Sequence, residues 1–138
     1  MRLTLSNRRC AALALIGLAL VGSCDGKDAT GDERRTRPFS GIEPGAIIEA
    51  EGIDPAWRGR LDGNSLILSL DGTDSTSTVQ RFAGNNGLGF TGRMGDGALV
   101  LTITPGTCRV RSGDAVEPYT ATLQTGDETR FGCARTVP

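Results

Sequence analysis

The sequence predicts an all-β fold: a small antiparallel up-and-down barrel of about eight strands with one disulfide, occupying residues 45–138. Three observations predict it. From residue 45 onward apolar residues recur in short runs, and no stretch keeps a 3.6-residue period long enough for a helix. Turn signals separate the runs, among them Asp62-Gly63-Asn64, Asn86-Gly87, Gly95-Asp96-Gly97 and Gly126-Asp127. Strands joined by consecutive hairpins favour a meander, and about eight of them are enough to close a barrel and remove its exposed edges.

The elements follow in order. The first strand is expected at 46–53 and the second at 57–61, after Pro55. Trp57, the single tryptophan, is expected as a plug in the core or at a barrel end; an aromatic contact to a partner is the rival role. The third strand, 65–70, places Leu66, Leu68 and Leu70 on one face. A turn is read over 71–75, then a strand over 78–83 anchored by Val79 and Phe82. Residues 88–93 align Leu88, Phe90 and Gly92, and residues 98–104 align Leu99, Leu101 and Ile103. A longer connection, 105–118, carries Cys108, and strands 119–125 and 128–134 form a last hairpin.

The first segment is for targeting. Arg2, Arg8 and Arg9 precede an apolar run, AALALIGLALV, which is shorter than the roughly twenty residues a bilayer-spanning helix needs. It fits the core of an export signal, expected over 1–23. Val21-Gly22-Ser23-Cys24 then resembles the lipobox of bacterial lipoproteins. That resemblance implies cleavage before Cys24 and diacylglycerol on its thiol; the rival reading is an ordinary secretory signal that happens to contain a cysteine. The expected localisation is the bacterial cell envelope, lipid-anchored and facing the periplasm. Asp25 marks inner-membrane retention in enterobacterial lipoproteins, a rule that varies among lineages, so the choice of membrane stays open.

With Cys10 in the signal and Cys24 lipidated, Cys108 and Cys133 remain as a pair in an oxidising compartment. The expectation is a disulfide; free thiols or a metal pair are the alternatives. Residues 24–44 are charged and rich in small residues, and read as a lipidated cysteine followed by a flexible linker. The chain has no histidine, and its only lysine is Lys27. Ser-His-Asp and Cys-His catalysis and His-ligated metal sites are therefore excluded. A formal net charge of −1 argues against nucleic-acid binding. No catalytic residue, metal site or cofactor is expected.

Several segments together resemble the C-terminal domain of an uncharacterised group of bacterial envelope lipoproteins. They are Gly52-Ile53-Asp54-Pro55-Ala56-Trp57, the Leu-rich strand entering Pro105-Gly106-Thr107-Cys108, Asp114 to Ala121, and Gly132-Cys133-Ala134. The group's pattern reads Gly-Thr-Glu-Pro-Phe-Trp, then Pro-Gly-x-Cys, then Asp-x-x-Tyr-Pro-Phe-Thr-Ala, then Gly-Cys-Ala. Ala56 stands where the group has Phe, and Glu117 where it has Tyr. The group is in turn distantly similar to the membrane-bound inhibitors of c-type lysozyme, eight-stranded barrels on lipid anchors with a disulfide. Those inhibitors push Ser and Lys side chains from loops into the lysozyme cleft, and this domain has no Lys.

The candidate partner-contacting residues are Trp57, Arg109, Arg111 and Ser112. The two arginines share a face beside Cys108, where they can grip an anion. Ser112-Gly113-Asp114 forms the tip of the long connection. The expected function is non-catalytic binding, by a barrel held at the membrane through its lipid, of an envelope protein or other envelope component. Inhibition of a c-type lysozyme and carriage of a small molecule inside the barrel are the alternatives.

Overall fold

Alternation along the strands decides the architecture. In the computed structural model, which describes residues 37–110 and 115–138, eight strands follow one another. They are β1 (Ile47–Ile53), β2 (Ala56–Asp62), β3 (Ser65–Leu70) and β4 (Thr73–Gly84), then β5 (Gly87–Met94), β6 (Gly97–Arg109), β7 (Val116–Thr125) and β8 (Glu128–Val137). Each pairs antiparallel with its sequence neighbours, and β1 pairs with β8, so the expected closed meander is the observed fold. Every second side chain points inward. Leu66, Leu68, Leu88, Phe90, Leu99, Leu101, Ile103 and Leu123 are fully buried in one core. An eight-stranded barrel is just wide enough for such side chains to fill it.

At four points the structure departs from the sequence reading. The turn expected over 71–75 is only Asp71-Gly72, both with positive φ (51° and 83°). Two-residue hairpin turns of this hand match the strand twist, so β4 starts at Thr73 and its Ser/Thr-rich half pairs with β3. Pro105 does not end β6. A register shift between Pro105 and Cys108 absorbs it, and the connection shrinks to residues 110–115. Phe82 is not a core anchor: it lies an odd number of residues from buried Val79, so it faces outward and is 51% exposed. β8 continues to Val137 because it must reach Ile47 to close the barrel.

Part of the segment read as linker belongs to the domain. Ile42 is buried in the core, and Phe39 packs against it from the surface. The Phe39 amide donates to the Gly84 carbonyl at 2.8 Å. Arg81 donates to the Ile42 carbonyl and the Tyr119 hydroxyl to the Gly41 carbonyl, each at 3.1 Å. Residues 39–42 thus cover the barrel end at which β1 begins. Their two apolar side chains are the reason: that end offers a place to bury them. Residues 24–36 lie outside the described residues.

Candidate functional site

The wall of the barrel is organised around one seam. β1 and β8 pair from Ile47↔Val137 only as far as Glu51↔Cys133. Beyond that point side chains join the walls. The Trp57 indole donates from Nε1 to the Phe131 carbonyl at 3.1 Å. Gly52 leaves the indole room, since a Cβ there would overlap both Trp57 Nε1 and the Phe131 oxygen. Trp57 is 2% exposed. It therefore acts as the expected plug, and its ring offers no surface to a partner.

Arg130 finishes the same end. It points inward from β8 and is buried. Its guanidinium contacts both Asp71 oxygens, at 3.3 and 2.9 Å, the Glu128 carboxylate at 2.9 Å and the Ala56 carbonyl at 3.2 Å. The hydrogen bonds to Asp71 and then Glu128 raise the arginine's pKa, and the hydrogen bond from Arg130 holds the Asp71 carboxyl below its ordinary 3.8. A carboxylate with a lowered folded-state pKa contributes stability above its unfolded value and loses it as pH falls through the folded value. Asp71→Asn is therefore expected to destabilise the protein near neutral pH. The gap from the parent should close as pH falls below 3.8. Urea unfolding at a series of pH values checks this, and a gap that stays constant down to acid pH would refute it.

The disulfide pins the β6–β7 hairpin across β7 onto β8. Cys108 and Cys133 are bonded with Cα atoms 5.5 Å apart, inside the ordinary range. Closing a loop of sequence separation 25 is worth about 3.5 kcal/mol on the chain-entropy argument. Reduction is expected to lower stability by about that amount, and unreduced, denatured protein should give no maleimide-reactive thiol from this pair. Two reactive thiols in unreduced protein would contradict it.

The outer wall of β1 and β2, with parts of β7 and β8, is charged. Glu117, Arg135, Glu49 and Arg60 form a ladder with contacts of 3.2, 2.8 and 2.6 Å. Hydrogen bonds to Glu117 and then Glu49 raise the Arg135 pKa. This ladder borders a depression of ≈ 590 Å³ that also reaches Ile67 and Asp74. A second depression, of ≈ 670 Å³, is lined by Ile53, Arg109, Val110, Thr120, Thr122 and Phe131 among others. Phe131 is 70% exposed there.

The sequence-predicted site residues are thus dispersed. Trp57 is inside, Arg109 is exposed at the end of β6, and Arg111 and Ser112 lie outside the described residues, as does Cys24. Arg130, the charge ladder and Phe131 were not legible as a site. The signal for Arg130 was its even spacing from Ala134 on one strand, which placed a charge on the inward face. Among the described residues no group of three or more Cys, Asp or Glu side chains is arranged to hold a metal ion. Comparisons with family models, with curated proteins and with solved structures found no match.

Proposed function

We propose that the chain is a lipid-anchored protein of the bacterial cell envelope whose barrel binds another envelope component without catalysing a reaction. The observation that carries the binding reading is where the space lies. Apart from Ser77 and Arg130, the buried inward side chains form one packed apolar core, and depressions of ≈ 590, ≈ 670 and ≈ 540 Å³ are on the outer wall. A pocket at the barrel's end, between Ile42 and Phe90, measures only ≈ 10 Å³, about the room of a single water. This favours the outer wall over the lumen, and hence binding over carriage of a small molecule. The export signal and the Cys24 lipobox support the anchor, and the resemblance to envelope lipoproteins supports the location.

Capture from an envelope extract on the immobilised chain tests this reading. Specific retention of an envelope component is expected, and retention of nothing beyond a blank matrix would refute it. Lysozyme inhibition is the sharper version, favoured by exposed Arg109 next to the pinned Cys108. It predicts dose-dependent slowing of cell-wall hydrolysis by a c-type lysozyme, weakened by Arg109→Ala. Hydrolysis unchanged at high micromolar protein would remove that version alone.

A further inference from the structure

The register of the sheet divides the barrel's exterior into two unlike walls. One carries the Glu117–Arg135–Glu49–Arg60 ladder. On the other, cross-strand pairing aligns Phe82, Gly89, Thr102, Thr122 and Phe131 in a row across β4 to β8. The next outward row reads Gln80, Thr91, Val100, Gln124 and Thr129. Neither row holds a charged residue, in a chain that is 22% charged.

The rows have a definite layout. Large exposed aromatics stand at the two ends, Phe82 at 51% and Phe131 at 70% exposure. The Phe82 ring lies over Gly89, where a Cβ would overlap it, so one face of that ring is already covered and Phe131 is the more open aromatic. Neighbouring strands are about 4.8 Å apart, so the row extends at most roughly 19 Å around the wall. Depressions adjoin both ends, one at Phe131, whose far rim carries Glu51, Asp54 and Arg109 outside the two rows, and one lined by Thr78, Gln80, Thr91, Gly92 and Arg93.

We propose that this wall binds an uncharged polysaccharide chain at its β6–β8 side, with a sugar ring stacked on Phe131 and hydroxyls bonded to Thr122, Thr102 and Gln124. The inference rests on the proposed binding role and names its ligand class. A pyranose ring presents an apolar C–H face to an aromatic ring and hydroxyl edges to donors and acceptors such as Thr and Gln. Its neutrality matches rows that offer no counter-charge. A protein partner would be met by large anchors at the centre of the patch; here the centre is Gly89, Thr102 and Thr122. A nucleic acid or anionic polymer would need basic residues along the rows.

The test is calorimetric titration of the full chain, solubilised in detergent, with two neutral probes, chitohexaose and cellohexaose. Saturable binding to at least one is expected. It should be insensitive to about 0.5 M salt, which screens charge interactions beyond a few ångströms. Phe131→Ala is expected to weaken binding at least about fivefold, and Thr122→Val to weaken it less. Arg60→Ala on the charged wall should leave it unchanged. Trp57 fluorescence confirms that each variant is folded. Absence of binding to both probes, binding abolished by salt, or binding unaffected by Phe131→Ala would overturn the proposal. If envelope capture succeeds with a protein while both sugars fail, the ligand class falls and the binding role stands. If capture fails as well, both fall.

Discussion

Trp57→Ala is expected to destabilise the barrel by about 3–5 kcal/mol, the range for removing a large buried aromatic. A domain of this size has about 5–15 kcal/mol in all, so the variant should sit near its unfolding threshold. The loss has two parts. The ring is 2% exposed and belongs to the apolar core, so its removal leaves a cavity. The indole N–H also bonds the Phe131 carbonyl where β1 and β8 no longer pair, so its removal opens the seam. Trp57→Phe separates them: it keeps most of the apolar surface and drops the hydrogen bond, for about 1–3 kcal/mol. Gly52→Ala attacks the same joint from the other side, because the added methyl overlaps the indole and the Phe131 oxygen. Urea unfolding followed by far-ultraviolet circular dichroism measures all three. Trp57→Ala within about 1 kcal/mol of the parent would show that the seam does not depend on this residue.

The fold was legible because its information is local. Alternation in 65–70 and 98–104 fixed which face of β3 and β6 is buried, and Gly-containing turns fixed the hairpins. Errors arose where local signals competed. Thr73 to Ser75 looks like part of a solvated turn by composition, yet pairing with β3 makes it strand. Pro105 looks like a stop, yet a register shift accommodates it. Phe82 looks like core by residue type, yet its parity places it outside.

The site was less legible because its parts meet only through register. Glu49 touches Arg135 from the far end of the chain, and Arg130 reaches Asp71 across the barrel mouth. The row joining Phe82 to Phe131 needs four strand pairings to be known at once. Cys108 and Cys133 were the exception, because two cysteines left over in a domain read as exported have one obvious pairing.

Cys24→Ala is expected to abolish lipid labelling and to remove the mature protein from the membrane fraction. Anchoring energy sets this expectation. An acyl chain contributes about 0.8 kcal/mol per buried CH₂, one chain binds only marginally, and several together hold a protein stably. The proposed lipid is attached to Cys24 alone, so the variant loses every chain at once. Cys10 cannot substitute, because it precedes the apolar run rather than following it. The remaining apolar run is too short to span the bilayer as a helix. Any precursor left at the membrane should therefore be extracted by milder conditions than the parent, and its mass should include residues 1–23. Cys108 and Cys133 are joined to each other, so labelled palmitate has no alternative thiol there. Blue-shifted emission from buried Trp57 would show that the barrel still folds, which separates loss of the anchor from loss of structure. Labelled palmitate on Cys24→Ala, with detergent partition equal to the parent's, would refute the lipobox reading and return the first segment to an ordinary export signal.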